Sequence, residues 1–278
     1  MADRILQTRG TCTTILAAVN QLSSFLDLRY FEDLTSTLNA KYGVNANVSP
    51  ITTPQLRYFG CGVKGFKNTD MNQGSRRYDP ACSEMDLYMP IPIRCVPVEN
   101  DLNATERAKY RMRVVQNTPN GKFACYYLKL VTADPSTVEV VVKDANGTET
   151  PYVLDPGNLN PSPMDPEVGG IVDASEGRII VRATLSCELY ADEILEAVNN
   201  LYNGDIDIYG HISEYGFYSG CEVDVDENEN IVTSGGVNKE AIYVQLAKKM
   251  CSKGTDLVES GAFIVPQIRM EYADILND

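Results

Sequence analysis

An α+β protein built mainly of antiparallel β-sheet, with an N-terminal helical segment and one or two further short helices, is predicted by three features of the sequence. Runs of aromatic and β-branched residues recur from Pro54 onward, Asn-Gly steps separate pairs of such runs, and helical spacing of apolar residues is confined to a few stretches.

The clearest helical spacing lies in residues 12–42. Two groups, Leu22, Phe25 and Leu26, then Phe31, Leu34, Leu38 and Tyr42, each recur at steps of three and four, as two helices or as one broken near Asp27. Gly43 closes the pattern, because a helix commonly stops on a left-handed residue. Leu56–Val63 then reads as a strand, with Gly60 and Gly62 where a bulge or a close backbone approach belongs. Leu87–Val98 carries Pro90, Pro92 and Pro97; proline donates no hydrogen bond, so this stretch is an edge strand or an extended surface segment. A short helix over Asp101–Lys109 and a strand over Tyr110–Gln116 follow.

Asn120-Gly121, with a register in which Pro119 can join the loop, and Asn146-Gly147 each divide two strand-like runs and predict hairpins, since both central positions of a type I′ turn need positive φ. Asp155–Gly170, with Pro156, Pro161, Pro163 and Pro166, reads as a linker or long loop. Beyond it come a strand over Arg178–Leu189 and a helix over Ala191–Tyr202 that Asn203-Gly204 ends. Ile206–Tyr218, Glu240–Met250 and Phe263–Tyr272 read mostly as strands, with a helix as the alternative over Ala241–Met250. The expected organisation is a helical segment at 1–50, a β-rich lobe at 51–155, a linker at 156–170 and a second α+β lobe at 171–278.

Apolar residues at 44% and charged residues at 22% are globular values and exclude wholesale disorder. No apolar run approaches the roughly 20 residues of a membrane span, so no membrane insertion is expected. Met1-Ala2-Asp3-Arg4 does not open a signal peptide, which predicts synthesis and retention in a reducing cytoplasm. The net charge of −14 repels nucleic acid, and no sequence-specific nucleic-acid binding is expected. One basic cluster stands out: Arg107, Lys109, Arg111 and Arg113. On an extended chain they share a face, which is either turned to an acidic neighbour or ion-paired and solvated.

Familiar chemistry lacks its parts. The one histidine, His211, has no nucleophile motif to serve and reads as structural. The eight cysteines, Cys12, Cys61, Cys82, Cys95, Cys125, Cys187, Cys221 and Cys251, show no zinc spacing and read as buried thiols. Their even number leaves disulfides open in an oxidising medium. Gly60, Gly62 and Gly65 do not make a phosphate loop. Asp224, Asp226, Asn228 and Asn230 alternate like a calcium loop, but Glu229 and Gly235 stand where that template needs glycine and glutamate, so a solvated hairpin tip is expected. No catalytic, cofactor-binding or metal residues are predicted, and no cofactor.

Several phrases carry a resemblance: Leu56-Arg57-Tyr58-Phe59-Gly60-Cys61-Gly62-Val63-Lys64-Gly65-Phe66, Met85-Asp86-Leu87-Tyr88-Met89-Pro90-Ile91-Pro92, Arg94-Cys95-Val96-Pro97, Glu106 to Arg113, Tyr126-Tyr127-Leu128-Lys129, and His211-Ile212-Ser213-Glu214-Tyr215-Gly216 with Ser219-Gly220. Together they resemble virion structural proteins of large tailed bacteriophages. That resemblance implies a non-enzymatic subunit of the neck, tail or baseplate, in a six- or twelve-fold ring of its own copies with other virion proteins. It implies location in the virion after synthesis in the host bacterial cytoplasm. The alternatives are a capsid-associated or decoration protein, and a glycan-binding or glycan-degrading tail component. Leu87–Val98 and Asp155–Gly170 are the expected arms toward neighbours.

Overall fold

The computed structural model describes residues 10–13, 38–48, 54–63, 81, 83–133, 136, 138–144, 146–151, 178–256, 263–264 and 267–275. It is an α+β protein dominated by antiparallel sheet. The chain forms two compact units, Met1–Val131 with Cys187–Pro266, and Thr132–Ser186 with Gln267–Asp278.

In the first unit the strands are β1 (Gly10–Thr13), β2 (Gln55–Gly62), β3 (Pro90–Ile91), β4 (Arg94–Pro97), β5 (Tyr110–Thr118) and β6 (Gly121–Leu130). The second unit supplies β7 (Thr132–Ala133), β8 (Glu139–Lys143), β9 (Glu149–Pro151) and β10 (Arg178–Ser186). The chain then returns to the first unit with β11 (Leu189–Tyr190), β12 (His211–Val225), β13 (Ile231–Val232), β14 (Asn238–Asp256) and β15 (Phe263–Ile264), and ends in the second with β16 (Gln267–Ile275). Helices α1 (Leu38–Tyr42), α2 (Ala104–Arg107), α3 (Ala191–Leu201) and α4 (Ile206–Tyr209) all belong to the first unit.

The expected linear division at 1–50, 51–155, 156–170 and 171–278 is not how the units are cut. Strand β16 pairs with β10 over nine register positions, so the C-terminal strand belongs with residues 132–186 rather than with its neighbours in sequence. Hydrogen-bonded pairing defines a sheet, and here it reaches across the chain. Most of the expected helical segment at 12–42, and the Asp155–Gly170 loop, lie outside the described residues. Cys12 and Thr13 belong to β1, not to a helix.

The large sheet runs β1-β14-β12-β2-β6-β4, with β5 on β6, β3 on β2 and β13 on β12. Strands β12 and β14 are its spine, 15 and 19 residues long and paired antiparallel. The ambiguity over Ala241–Met250 resolves as strand. Every residue of β12 from Ile212 to Cys221 is buried, as are Ala241–Ala247 of β14, so both faces of these strands are covered and burial does not alternate, even though Ser213, Glu214, Ser219 and Gln245 are polar. The core gathers Tyr58, Met112, Cys125, Tyr127, Leu128, Tyr218, Val244 and Leu246, closed from one side by Leu38 and Ala197.

Glycine has a packing role in the spine. A Cβ on Gly220 would lie 2.9 Å from the Tyr58 ring, and one on Gly216 would lie 2.7 Å from the Tyr218 ring. The missing side chains make room for those buried tyrosines.

The circuit β14–β12–β2–β6–β5 returns to β14, but the last joint is made by side chains. The buried Glu240 carboxylate of β14 accepts from Met112 N at 2.5 Å, Arg113 N at 3.1 Å and Ala241 N at 2.7 Å. Asn39 of α1 donates to Ala241 O and accepts from Val244 N, both at 2.8 Å. Met112 (φ 61°) and Tyr243 (φ 52°) are left-handed within their strands. Non-glycine residues avoid that region, and each is flanked here by an N–H that a side chain accepts.

Both hairpins form, with shifted turns. Thr118 pairs with Gly121, so the loop residues are Pro119 and Asn120 rather than Asn120 and Gly121. Proline's fixed φ suits the first loop position, and the positive φ falls on Gly121 at 134°, after the turn. In the second unit β8 pairs with β9 around Gly147 (φ 87°), with Glu149–Pro151 as the returning strand; residues 152–154 lie outside the described residues. This unit's sheet is β16-β10-β8-β9 with β7 on β10. Across it Arg182 grips the Glu149 carboxylate with both guanidinium nitrogens at 2.5 Å.

Helix ends follow the local sequence. Asn103 caps α2, with Glu106 completing a capping box. Arg111 donates to the carbonyls of Arg107, Ala108 and Tyr110, satisfying groups that the short helix leaves open. Helix α3 buries Ala191, Ile194, Ala197 and Val198 and ends on left-handed Asn203 and Gly204. Gly43 is left-handed after α1 as expected. The start of the Ile206–Tyr218 stretch, expected as strand, is helix α4 instead.

Candidate functional site

The arrangement that most distinguishes the first unit is an ionic clamp on residues 83–89. Strand β12 places Glu214, and strand β14 places Lys249, on the inner surface of the sheet; they are 0% and 1% exposed. The Lys249 ammonium lies 2.5 Å from Glu214 Oε1 and donates to Glu84 Oε2 at 2.6 Å. Tyr88 N donates to Glu214 Oε2 at 2.7 Å. Asp86 accepts from Leu87 N at 2.7 Å and from the Tyr218 hydroxyl at 3.1 Å, and pairs with Lys41 of α1. Gly62 permits this closeness, since a Cβ there would lie 2.9 Å from Met89 O and 3.3 Å from Glu214 Oε2.

Burial by itself works against the Lys249 charge, but the Glu214 and Glu84 hydrogen bonds outweigh it and hold the ammonium up at about 12. The Tyr218 hydroxyl is pushed far above its usual value by burial and by the nearby Asp86 charge. Such a network adds little net stability, because desolvation offsets attraction; it does fix one conformation strongly, since a removed partner leaves a bare buried charge. The clamp therefore ties residues 84–88 to β12, β14 and α1. Leu87 points inward at 3% exposed, whereas Met85 and Tyr88 face outward at 49% and 74%.

The arginines of the predicted basic cluster come from two elements, and Arg107 and Arg113 both approach the Glu229 carboxylate. Arg107 lies in α2 and pairs with Glu229; Arg111 and Arg113 lie in β5 and pair with Glu222 at 2.6 Å and with Asp101 at 2.7 Å. The Tyr126 hydroxyl also donates to Asp101. Three of the four cations are thus paired within the chain, while Lys109 is exposed. Of the two readings open in the sequence, the ion-paired one describes the three arginines.

His211 opens β12 and is exposed. The acidic run forms the connection between β12 and β13. Asp226 Oδ1 accepts from Asn228 N and Asn230 N, both at 2.8 Å, and these bonds lower its carboxyl's pKa. Glu229 is held by Arg107, and Asp224 lies 3.6 Å from Lys239. The hairpin tip expected from the sequence is present; the Asp226 oxygens are engaged with their own loop, and Glu229 and Asp224 face cations of other elements. Among the described residues no group of three His, Cys, Asp or Glu side chains is placed to hold a metal ion. Likewise, no helix among them is long and apolar enough to cross a membrane.

The clamp was not singled out in the sequence. Its only local signal is a charge inside an apolar strand: Glu214 within Ile212–Tyr218, and Lys249 ahead of Met250-Cys251. Nothing local tells that the two meet.

The molecule defined by these features is a β-rich protein with an internally paired charge set and a clamped loop that turns Met85 and Tyr88 outward. The chain belongs to the family of unknown function DUF7208, whose model matches residues 1–261. No curated protein and no solved structure matches it.

Proposed function

We propose that this chain is a non-enzymatic structural subunit of a tailed bacteriophage virion, a ring or wedge component of its neck, tail or baseplate. The resemblance in the phrases from Leu56 to Gly220 supports the setting. The observation that carries an assembly role is Tyr88, 74% exposed on a loop that Glu214 and Lys249 tie to the sheet and Lys41 ties to α1. Binding energy at protein interfaces concentrates in aromatic anchors, and a residue already ordered loses little entropy on docking. The net charge of −14 suits a subunit beside a DNA passage, because a negative wall does not retain passing DNA.

Electron microscopy of intact particles tests the setting: six or twelve copies on the tail axis support the reading, and copies spread over the shell overturn it. Tyr88→Ala tests the loop. The variant keeps the wild-type melting temperature but loses its place in the assembly; incorporation at wild-type levels would remove the loop from the argument.

A further inference from the structure

Cys95 of β4 and Cys125 of β6 are register partners on neighbouring antiparallel strands. The backbone groups of Cys95 turn away from β6: its N–H goes to Glu196 Oε2 at 3.3 Å, and its C=O accepts from Asn200 Nδ2 at 2.6 Å, both on α3. Cys125 in turn pairs with Val114 of β5 on its other side. A residue whose backbone faces away from the neighbouring strand sits in a non-hydrogen-bonded pair, where Cα atoms approach to about 4.5 Å and side chains lie closest. That spacing is inside the range a disulfide accepts. The two Sγ atoms are 3.6 Å apart, and both residues are fully buried. Among the described cysteines no other two share a register position.

We propose that Cys95 and Cys125 are a reversible disulfide site, a dithiol in a reducing medium and a closed bridge in an oxidising one. The oxidant is a low-molecular-weight disulfide. The thiolate of one cysteine attacks one of its sulfurs, forming a mixed disulfide and expelling one small thiolate. The second cysteine then attacks the protein sulfur of that mixed disulfide and expels the other small thiolate. Two cysteine thiols are oxidised, one small disulfide is reduced to two thiols, and the two cysteine protons end on the expelled thiolates.

The resting pair is protected. Its mutual hydrogen bond, then burial, raises the Cys95 pKa, so the unreactive thiol is the resting form. Reaction therefore proceeds through local opening of β4, a four-residue strand at the end of the sheet order whose outer side is held by side chains of α3. Once closed, the bridge spans 30 residues of chain and fastens β4, the end strand, covalently to β6.

The full-length chain is equilibrated in buffers from reduced to oxidised glutathione, both from the native state and by refolding from urea. Remaining thiols are then alkylated and mapped by peptide mass spectrometry. The expected result is a linked peptide pair holding Cys95 and Cys125, two hydrogens lighter than the two free peptides, with Cys61, Cys187, Cys221 and Cys251 still alkylated. Reduced and oxidised protein then differ in melting temperature by about 5 °C or more, and Cys125→Ala abolishes that difference. Alkylation of both Cys95 and Cys125 after oxidative refolding overturns the proposal, as does linkage of either to another cysteine. The wild-type peptide map decides the matter even where the variant folds poorly.

Discussion

Two seams of the first unit are closed by the same pair of side-chain types, one glutamate and one asparagine, in opposite surroundings. Between β5 and β14, Glu240 and Asn39 are 2% and 1% exposed, and the carboxylate meets three backbone N–H groups. Between β4 and α3, Glu196 and Asn200 lie half-buried; Glu196 grips the Arg94 Nε at 2.6 Å and adds one backbone bond, from Cys95. Both seams solve one problem. A strand edge that cannot pair with another strand still needs its backbone groups satisfied. The first solution excludes water and relies on fixed dipoles; the second keeps a cation and partial solvent access.

The buried seam is the costlier one to break. Glu240→Gln retains the shape but offers one acceptor oxygen to three donors and sets an NH2 group against an N–H. A loss of about 3 kcal/mol in urea unfolding is expected, since a buried donor left unsatisfied costs up to that amount. A loss below 1 kcal/mol would mean that strand packing, not the carboxylate, closes the circuit.

Acid titration separates the seams further. Burial raises the Glu240 pKa above its usual 4.5, ahead of the lowering by its backbone donors. With the folded value above the unfolded one, the folded state takes up the proton first, so this group's contribution to stability rises as pH falls through its folded pKa toward 4.5. Asp226 runs the other way, its contribution being lost as pH falls below 3.8 through its lowered value. Stability measured as wild type minus Glu240→Gln therefore increases on mild acidification, and a flat difference contradicts the assignment.

Asn39→Ala comes next. It removes a donor to Ala241 O and an acceptor for Val244 N beside left-handed Tyr243, and about 2 kcal/mol is expected. Protection of the Val244 amide from hydrogen exchange should fall more than that of Phe217 on β12. Equal protection would show that α1 merely rests on β14.

How much of this was legible follows from what kind of information each part needs. The dominance of antiparallel sheet, both hairpins, the Asn103-capped helix and α3 follow from spacing within a few residues. Pro90, Pro92 and Pro97 correctly predicted a marginal strand, but not that α3 would cover it, because Glu196 lies 102 residues from Arg94. The clamp and the seams are harder still. Glu240 reaches Met112 across 128 positions, and Asn39 reaches Val244 across 205. A buried carboxylate looks like any surface glutamate until the strand opposite it is known. The arginine stretch offered ion pairing as one of two readings, but its partners Glu229, Glu222 and Asp101 could not be named before the fold was known.

The exposed seam yields the smallest effect and the sharpest contrast. Glu196→Ala removes an ion pair open to solvent and one long backbone bond, so about 1 kcal/mol is expected at low salt. Near 1 M salt the Debye length shrinks to about 3 Å, and the ion-pair part of that loss fades. The loss in Glu240→Gln has no exposed charge to screen and should keep its size. If both losses fall together in salt, the two seams do not differ in the way their burial implies.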